Sequence, residues 1–574
     1  MLASLPAVPD LPALEREVLA RWRRTGVFQR SLQATAGGPL WTVYEGPPTA
    51  NGLPGVHHIE ARVFKDAFPR YRTMRGWHVP RRAGWDCHGL PVEVAVEKAL
   101  GLAGKPDIEA YGIAEFNQRC RESVLRHVDA FAAMTARMGY WTDLDGAYKT
   151  MDASYIESVW WSLKIIFERG LLVRDFRISP YCPRCGTPLS DHELGQPEVY
   201  QEITDPAVTV RFPLLAPLPP GAPPLLAGAD LLVWTTTPWT LVANTAVAVH
   251  PAERYVLARK SGDGDRVVVA ASRLGPVLGE GWHVLAEFDG ASLAGAAYEP
   301  PFSLVDVPGG HRVVTAGFVT SGEGTGLVHL APAFGADDLD AGRQHGLPVV
   351  NPVRPDGRFA GDLPLVGGLP VRDASEPLIA SLAGRGRLFR SEPYRHSYPH
   401  CWRCGTPLLY YALPAWYIRT TAIKDQLLAE NSRTRWHPPT IRDGRYGEWL
   451  RNNVDWALSR SRYWGTPLPL WECGEGHLTC VGSLAELSGL AGRDLSGLDP
   501  HRPFVDDVTL ACPSCGGEAR RVPEVIDAWY DSGSMPFAQF GTVQFGAGPR
   551  GEAEFRSAYP AQFICEAIDQ TRGW

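Results

Sequence analysis

The sequence has no run of about 20 apolar residues of the kind that crosses a membrane, so it predicts a chain with no membrane partner. Its first residues are apolar, but Asp10, Glu15, Arg16 and Glu17 soon follow, and no unbroken apolar core of a secretory leader forms. A cytoplasmic protein is the expectation. There is also no excess of positive charge: 56 Lys and Arg stand against 63 Asp and Glu, for a net charge of -7. A uniformly basic nucleic-acid binder is thereby excluded, and any RNA contact must use local patches. One candidate patch holds Arg62, Lys65, Arg70, Arg72, Arg75, Arg81 and Arg82, with a solvated helix face as the preferred interpretation. Cysteine is sparse, at 11 residues in 574. Eight of those 11 sit in or near closely spaced pairs, which in a reducing compartment favours metal ligation over disulfides.

What is present is an ordinary globular composition, 45% hydrophobic and 21% charged, whose 50 prolines and 59 glycines point to many turns. At roughly 100–200 residues per domain, the length predicts about three or four units. Asp10 can cap a helix with Leu14, Val18 and Trp22 on one face and Pro12 in its first turn. A short β-rich run, Leu40 to Tyr44, leads into a glycine-rich loop ending at Gly55. A helical pattern starts at His57, with Ile59, Val63 and Ala67 on one stripe and Phe64 and Phe68 beside it. Strand, glycine-rich loop and helix N-terminus form a nucleotide-site geometry, because orphan backbone N–H groups and the helix dipole favour phosphate. Taken alone, His57 and His58 are equally compatible with exposed residues of the capping region.

An internal repeat marks the organisation. Cys-Pro-Arg-Cys-Gly-Thr-Pro-Leu begins at Cys182 and Cys-Trp-Arg-Cys-Gly-Thr-Pro-Leu at Cys401. Zinc takes four tetrahedral S or N ligands, and a C-x2-C turn presents two thiolates, so Cys182, Cys185, Cys401 and Cys404 are expected to share one Zn²⁺. Cys512 and Cys515 form another pair whose partners come from Cys473, His477 and Cys480, with Cys473 and His477 preferred. Four protein ligands leave no open position, so both sites are expected to be structural. Between the knuckles lie β-rich runs such as Leu231 to Trp234 and Ala246 to Val249, and a proline-rich surface loop from Pro213 to Pro224. This stretch predicts an inserted β-rich domain with a metal-pinned base.

Longer motifs carry a family resemblance. Glu45-Gly-Pro-Pro-Thr-Ala-Asn-Gly-Leu-Pro and Gly84-Trp-Asp-Cys-His-Gly-Leu-Pro-Val-Glu93 resemble the opening of the catalytic domain of class I isoleucyl-tRNA synthetases. Trp234-Thr-Thr-Thr-Pro-Trp-Thr240 and the stretch from Gly324 to Asp338 are similar to the family's editing segments. The stretches Trp456 to Pro467, Ile526 to Gly533 and Glu566 to Trp574 resemble the second part of its catalytic domain. The resemblance spans nearly the whole chain, in the family's order.

It implies an α/β fold: a Rossmann-like catalytic domain interrupted by a β-rich editing domain and decorated with zinc knuckles. The expected boundaries are 1–195 for the first catalytic part with half of a zinc site, 196–395 for the editing domain, and 396–574 for further knuckles and an incomplete second catalytic part. The implied reaction is attack of isoleucine's carboxylate on the α-phosphorus of ATP, aided by Mg²⁺, followed by transfer to tRNA(Ile). Such chemistry needs positioning and stabilisation of phosphate charge rather than an enzyme nucleophile. By resemblance, Pro47, Trp529 and Trp574 line the isoleucine pocket, Asp86 holds the ammonium, and Glu566 and Gln570 contact the adenylate.

The family's His-x-Gly-His signature appears here as Gly55-Val56-His57-His58, with the first histidine and the glycine exchanged. His58 keeps its role by position; His57 is expected to supply the missing phosphate contact and Gly55 the clearance. Valine lacks one methylene of isoleucine, worth about 1–3 kcal/mol, and this pair is the standard worked case for a second, hydrolytic sieve. Thr235, Thr236, Thr237, Trp239, Asn244 and His329 form that sieve by resemblance, with Asp338 on the ammonium of the misattached valine. The sequence ends without the family's lysine-rich loop and helical anticodon-binding domain. A fragment is therefore expected, doubtful in complete aminoacylation, with a monomer expected for a complete form. A stand-alone editing hydrolase and a non-catalytic zinc-containing tRNA-binding module are the rival expectations.

Overall fold

The computed structural model describes residues 8–49, 51–262, 264–541, 551–572 and 574. Residues 1–7, weighed above against a secretory leader, lie outside the described residues, as do Ala50 and Gly573 of the quoted motifs. The chain forms two compact units, one of residues 1–174, 191–195 and 416–574, the other of residues 175–190 and 196–415. Both Cys-x2-Cys turns of the repeat belong to the second unit, whereas the expected boundaries at 195 and 395 had set them outside the insertion. No helix among the described residues is long and apolar enough to cross a membrane.

In the first unit, Asp10 caps Leu11–Thr25 by accepting from the amide of Ala13, which satisfies one of the helix's orphan donors. Strand Val43–Tyr44 runs parallel to Phe563–Ile564, and Arg82–Trp85 runs parallel to Asp143–Lys149. Parallel bridges Leu40↔His78 and Thr49↔Asp86 join the two pairs. Helices Val56–Met74, Leu90–Leu100 and Ile113–Met138 make the crossovers, giving an α/β arrangement in which loops at the C-terminal ends of parallel strands gather ligands. The pairing of residues 43–44 with 563–564 brings the loop after Tyr44 beside the segment that carries Glu566.

The apolar stripe of helix Val56–Met74 is not its buried face: Val63 is 55% and Phe64 53% exposed, while Arg62 and Lys65 are each 5% exposed. The basic stretch is therefore not a solvated face at these positions. Arg62 and Lys65 turn inward because Glu45 and Glu566 are there to neutralise them, and a buried cation persists only when paired. Arg81, 5% exposed, lies near Asp66.

The second unit is built on a nine-stranded mixed sheet. Asp230–Thr235 lies at its centre, antiparallel to Tyr200–Pro213 and parallel to Arg266–Ala270. In strand Ala246–Val249, separated from Asp230–Thr235 by strand Leu327–Leu330, Val247 and Val249 pack in one core cluster and Ala246 and Ala248 in another. Burial on both faces explains why this strand reads as an unbroken apolar run instead of alternating.

Candidate functional site

The first site gathers around the loop after Tyr44. Glu566 Oε1 accepts from the amide of Gly46 at 2.7 Å, and its carboxylate takes Lys65 Nζ at 2.8 Å. Lys65 also lies 3.6 Å from Glu45, which accepts from Tyr140 as well. A side chain at Gly46 would meet Glu566 at 3.2 Å and Trp574 at 3.3 Å, so the backbone here passes close beneath both. Trp574 donates from Nε1 to the carbonyl of Ser532. Pro47 is buried and Trp529 is half-buried. Gln570 is half-buried and bonds its neighbour Asp569.

Gly55 is the N-cap of Val56–Met74 and gives its N–H to His58 Nδ1 at 2.9 Å. That nitrogen is thus the acceptor, which leaves the hydrogen of the neutral ring on Nε2. Burial, then the nearby His57 and Arg62, push the His58 imidazole down to about 4. The exchanged His57 is exposed and its ring lies over Gly55, where a Cβ would come within 2.8 Å of it. The clearance expected of Gly55 is therefore taken up by His57 itself.

Asp86 lies 8% exposed at the end of Arg82–Trp85. Its Oδ2 accepts from Thr49, and Oδ1 has no hydrogen-bond partner. Burial first, and the like charge of Asp531 next, hold its carboxyl well above the usual range. Asp531 in turn bonds His88 Nδ1 at 3.0 Å, and His88 Nε2 meets His501 Nε2 at 2.9 Å. Sequence reasoning passed over both histidines. His88 stood inside a quoted motif, but nothing local pointed to His501.

Asp527 caps the helix Ala528–Gly533 that carries Trp529. Together with His192 and Glu193 it makes a cluster of metal-ligating types. A cation already stands there: Arg460 reaches Glu193 at 2.5 Å and Asp527 at 2.7 Å.

Two other clusters fit a metal ion. Cys182, Cys185, Cys401 and Cys404 bring their sulfurs within 4.8 Å of one another, with two Sγ pairs at 3.5 Å. A zinc tetrahedron with bonds of about 2.3 Å needs sulfurs roughly 3.8 Å apart. Cys473, His477, Cys512 and Cys515 converge in the same way, at the turns of antiparallel strands Leu470–Cys473, Leu478–Cys480 and Glu518–Arg521. Cys480 instead packs in the apolar core.

In the second unit, Thr235, Thr237, Asn244 and His329 come together through Thr240, which sequence reasoning passed over although it ends a quoted motif. His329 Nε2 lies 2.7 Å from Thr240 Oγ1 and its Nδ1 3.2 Å from Asn244 Nδ2. Thr237 Oγ1 is 3.2 Å from both Thr235 and Thr240. Thr236 is half-buried, and Trp239 packs edge-on against Phe334. Asp338 sits in the first turn of Ala336–His345 and accepts from the amide of Ala331 at 2.9 Å. Burial pushes it up to about 6. Tyr298, from a loop with no recognisable motif, donates to Asn244 Oδ1 at 2.7 Å.

Residues 17–574 match the family model described as tRNA synthetases class I (I, L, M and V). The chain is 62% identical over 581 residues to an isoleucine--tRNA ligase of Thermobifida fusca, covering 100% of this chain and 53% of that protein. To the isoleucine--tRNA ligase of Thermus thermophilus it is 54% identical, over 99% of this chain and 53% of that one. The chain thus spans about half the length of the curated relatives it matches. A crystal structure of the ternary complex of Agrobacterium radiobacter K84 agnB2 LeuRS-tRNA-LeuAMS aligns with 97% of this chain and 63% of that chain. Its identity is 16% and its TM-score 0.41, too loose a likeness to bear on the fold. With the family model matching residues 17–574, the chain belongs to the class I tRNA synthetases of the isoleucine, leucine, methionine and valine group.

Proposed function

We propose that the first unit activates L-isoleucine with ATP for transfer to tRNA(Ile), and that the second hydrolyses valine wrongly attached to that tRNA. The observation that carries this is Asp86, a buried carboxylate with one unpartnered oxygen. Such a group calls for a cation, and the α-ammonium of an amino acid supplies one. Pro47, Trp529 and Trp574 offer the apolar wall for the side chain.

In the reaction, a carboxylate oxygen of isoleucine bonds to the α-phosphorus of ATP as the bond from that phosphorus to the β-phosphate oxygen breaks, and pyrophosphate leaves. Mg²⁺ bound with ATP neutralises phosphate charge. The chain's own part is to hold the reactants in line and to donate hydrogen bonds to developing charge. The first amides of Val56–Met74 and the Nε2–H of neutral His58 are suited to this. Glu566, fixed by Gly46 and Lys65, would orient the adenosine, with Gln570 beside it. His57 would reach a phosphate only by leaving Gly55. The two clusters of metal-ligating residues would hold Zn²⁺ as closed structural sites.

The low discrimination available to an apolar pocket makes a hydrolytic site necessary. The hydroxyls of Thr235, Thr236 and Thr237, with Trp239, Asn244 and His329, would form it, and Asp338 would take the valine ammonium. Isoleucine-dependent exchange of pyrophosphate into ATP tests the first half. Deacylation of valyl-tRNA(Ile) without exchange would leave only a hydrolase, and RNA binding without either would leave a zinc-containing tRNA-binding module.

A further inference from the structure

In the second unit, one hydrogen-bond partner has only a single possible role. The carbonyl oxygen of Ala246 can only accept, and it lies 3.0 Å from Asn244 Nδ2. The amide nitrogen of Asn244 is therefore on that side, and its Oδ1 faces the Tyr298 hydroxyl, which must donate. The second hydrogen on Nδ2 points at His329 Nδ1, so that ring nitrogen carries no proton. A neutral ring then has its hydrogen on Nε2, given to Thr240 Oγ1. Thr240 passes its own hydrogen to the carbonyl of Thr237 at 2.8 Å. Tyr298, Asn244, Thr240 and His329 are all buried, so each misdirected hydrogen would be left without a partner.

We infer that Tyr298 is a positioning residue of this site: through Asn244 it locks His329 as the Nε2–H tautomer, a fixed donor to Thr240 that takes no proton from the attacking water. This deepens the proposed hydrolysis and rests on it. Protonating His329 would drive an Nδ1–H against the amide N–H of Asn244. Burial alone already pushes the ring down to about 4, with no charged group opposing it. Among the described residues, the titratable groups tied to this network include the Tyr298 hydroxyl, behind Asn244, and His311, whose ring centre is 6.0 Å from that of Tyr298, while Asp338 bonds the amide of Ala331, two residues after His329. During hydrolysis the water oxygen joins the ester carbon and the bond from that carbon to the ribose oxygen breaks. One water proton ends on the ribose oxygen, and the new carboxylic acid loses the other to solvent; neither is routed through His329.

Glutamine can mimic the locked ring, with an N–H toward Thr240 and an oxygen toward Asn244. In deacylation of valyl-tRNA(Ile), His329→Gln should stay within about tenfold of the parent, as expected for altering one hydrogen bond. His329→Ala should fall further. Tyr298→Phe should lower kcat by about tenfold and leave KM unchanged. Nitrogen NMR of the histidine-labelled full chain, with His329→Gln assigning the signal, should show the Nε2–H form throughout the neutral range and a tautomer mixture in Tyr298→Phe. His329→Gln as inactive as His329→Ala would overturn the inference, as would a ring protonated on Nδ1. If the parent does not deacylate at all, the proposed function fails and the NMR signal alone decides the lock.

Discussion

His88 and His501 meet nitrogen to nitrogen, Nε2 to Nε2 at 2.9 Å, and the outer nitrogen of each ring faces a carboxylate, Asp531 for His88 and Asp499 for His501. Arg121 also faces His501 Nδ1, at 3.3 Å, so the row ends on a cation as well as a carboxylate, and Asp86 stands outside it with an unpartnered oxygen. Removing His501 strands a buried nitrogen of His88, so His501→Phe should cost about 1–3 kcal/mol. His88→Ala strands the Asp531 carboxylate and should cost more, about 3–5 kcal/mol. Urea unfolding of the two variants checks the order; equal losses would contradict this ranking of the stranded nitrogen and the stranded carboxylate.

Helix Val56–Met74 buries cations and exposes apolar side chains, which reverses the usual ranking of substitutions. Phe64→Ser should change stability by no more than about 0.5 kcal/mol. Lys65→Ala should cost about 3–5 kcal/mol by stripping Glu566 and Glu45 of their buried partner. Thermal or urea midpoints measure both.

Two buried imidazoles, His329 and His501, are pushed down to about 4, chiefly by burial. The unfolded chain binds these protons near the ordinary value of 6.5, so stability is present above that value and is lost as pH falls toward 4. For His329 the loss between pH 7 and pH 5 should be about 2 kcal/mol. Asp338, pushed up to about 6, acts with the opposite sign. Comparing the chain with His329→Gln at both pH values cancels that contribution and isolates the histidine. A pH slope unchanged by His329→Gln would contradict the assignment.

Metal analysis of the purified chain should find about two zinc ions, one for each closed set of four ligands. Cys404→Ser should remove one equivalent and Cys515→Ser the other, while Cys480→Ser should remove none. Chelation should lower the melting temperature, because binding free energy at a structural site is folding free energy. A loss of zinc in Cys480→Ser would move that residue into the ligand set.

Much of the fold was legible wherever the signal was local. The Asp10 cap, the central strands of the second unit and the Cys-x2-Cys turns each rest on residues close in sequence. The helix after Gly55 was legible as a helix but not in its facing, because periodicity identifies a stripe without saying what covers it. The deciding partner of Lys65 is Glu566, 501 residues away. The same holds in the sites: Tyr298 and His501 make contacts with residues that no motif connects to them. Arg460 had stood in a quoted motif, but its role as the cation between Glu193 and Asp527 depends on chain crossings that the sequence does not display.

The most direct test is calorimetric titration of the chain with L-isoleucine, beside Asp86→Asn. The parent should bind saturably, and Asp86→Asn should lose at least about 100-fold in affinity, since the asparagine offers the ammonium no counter-charge. Stability of the variant should be equal or higher, because burial penalises this carboxylate when no ligand is bound. Isoleucine bound equally well by Asp86→Asn would contradict the central claim.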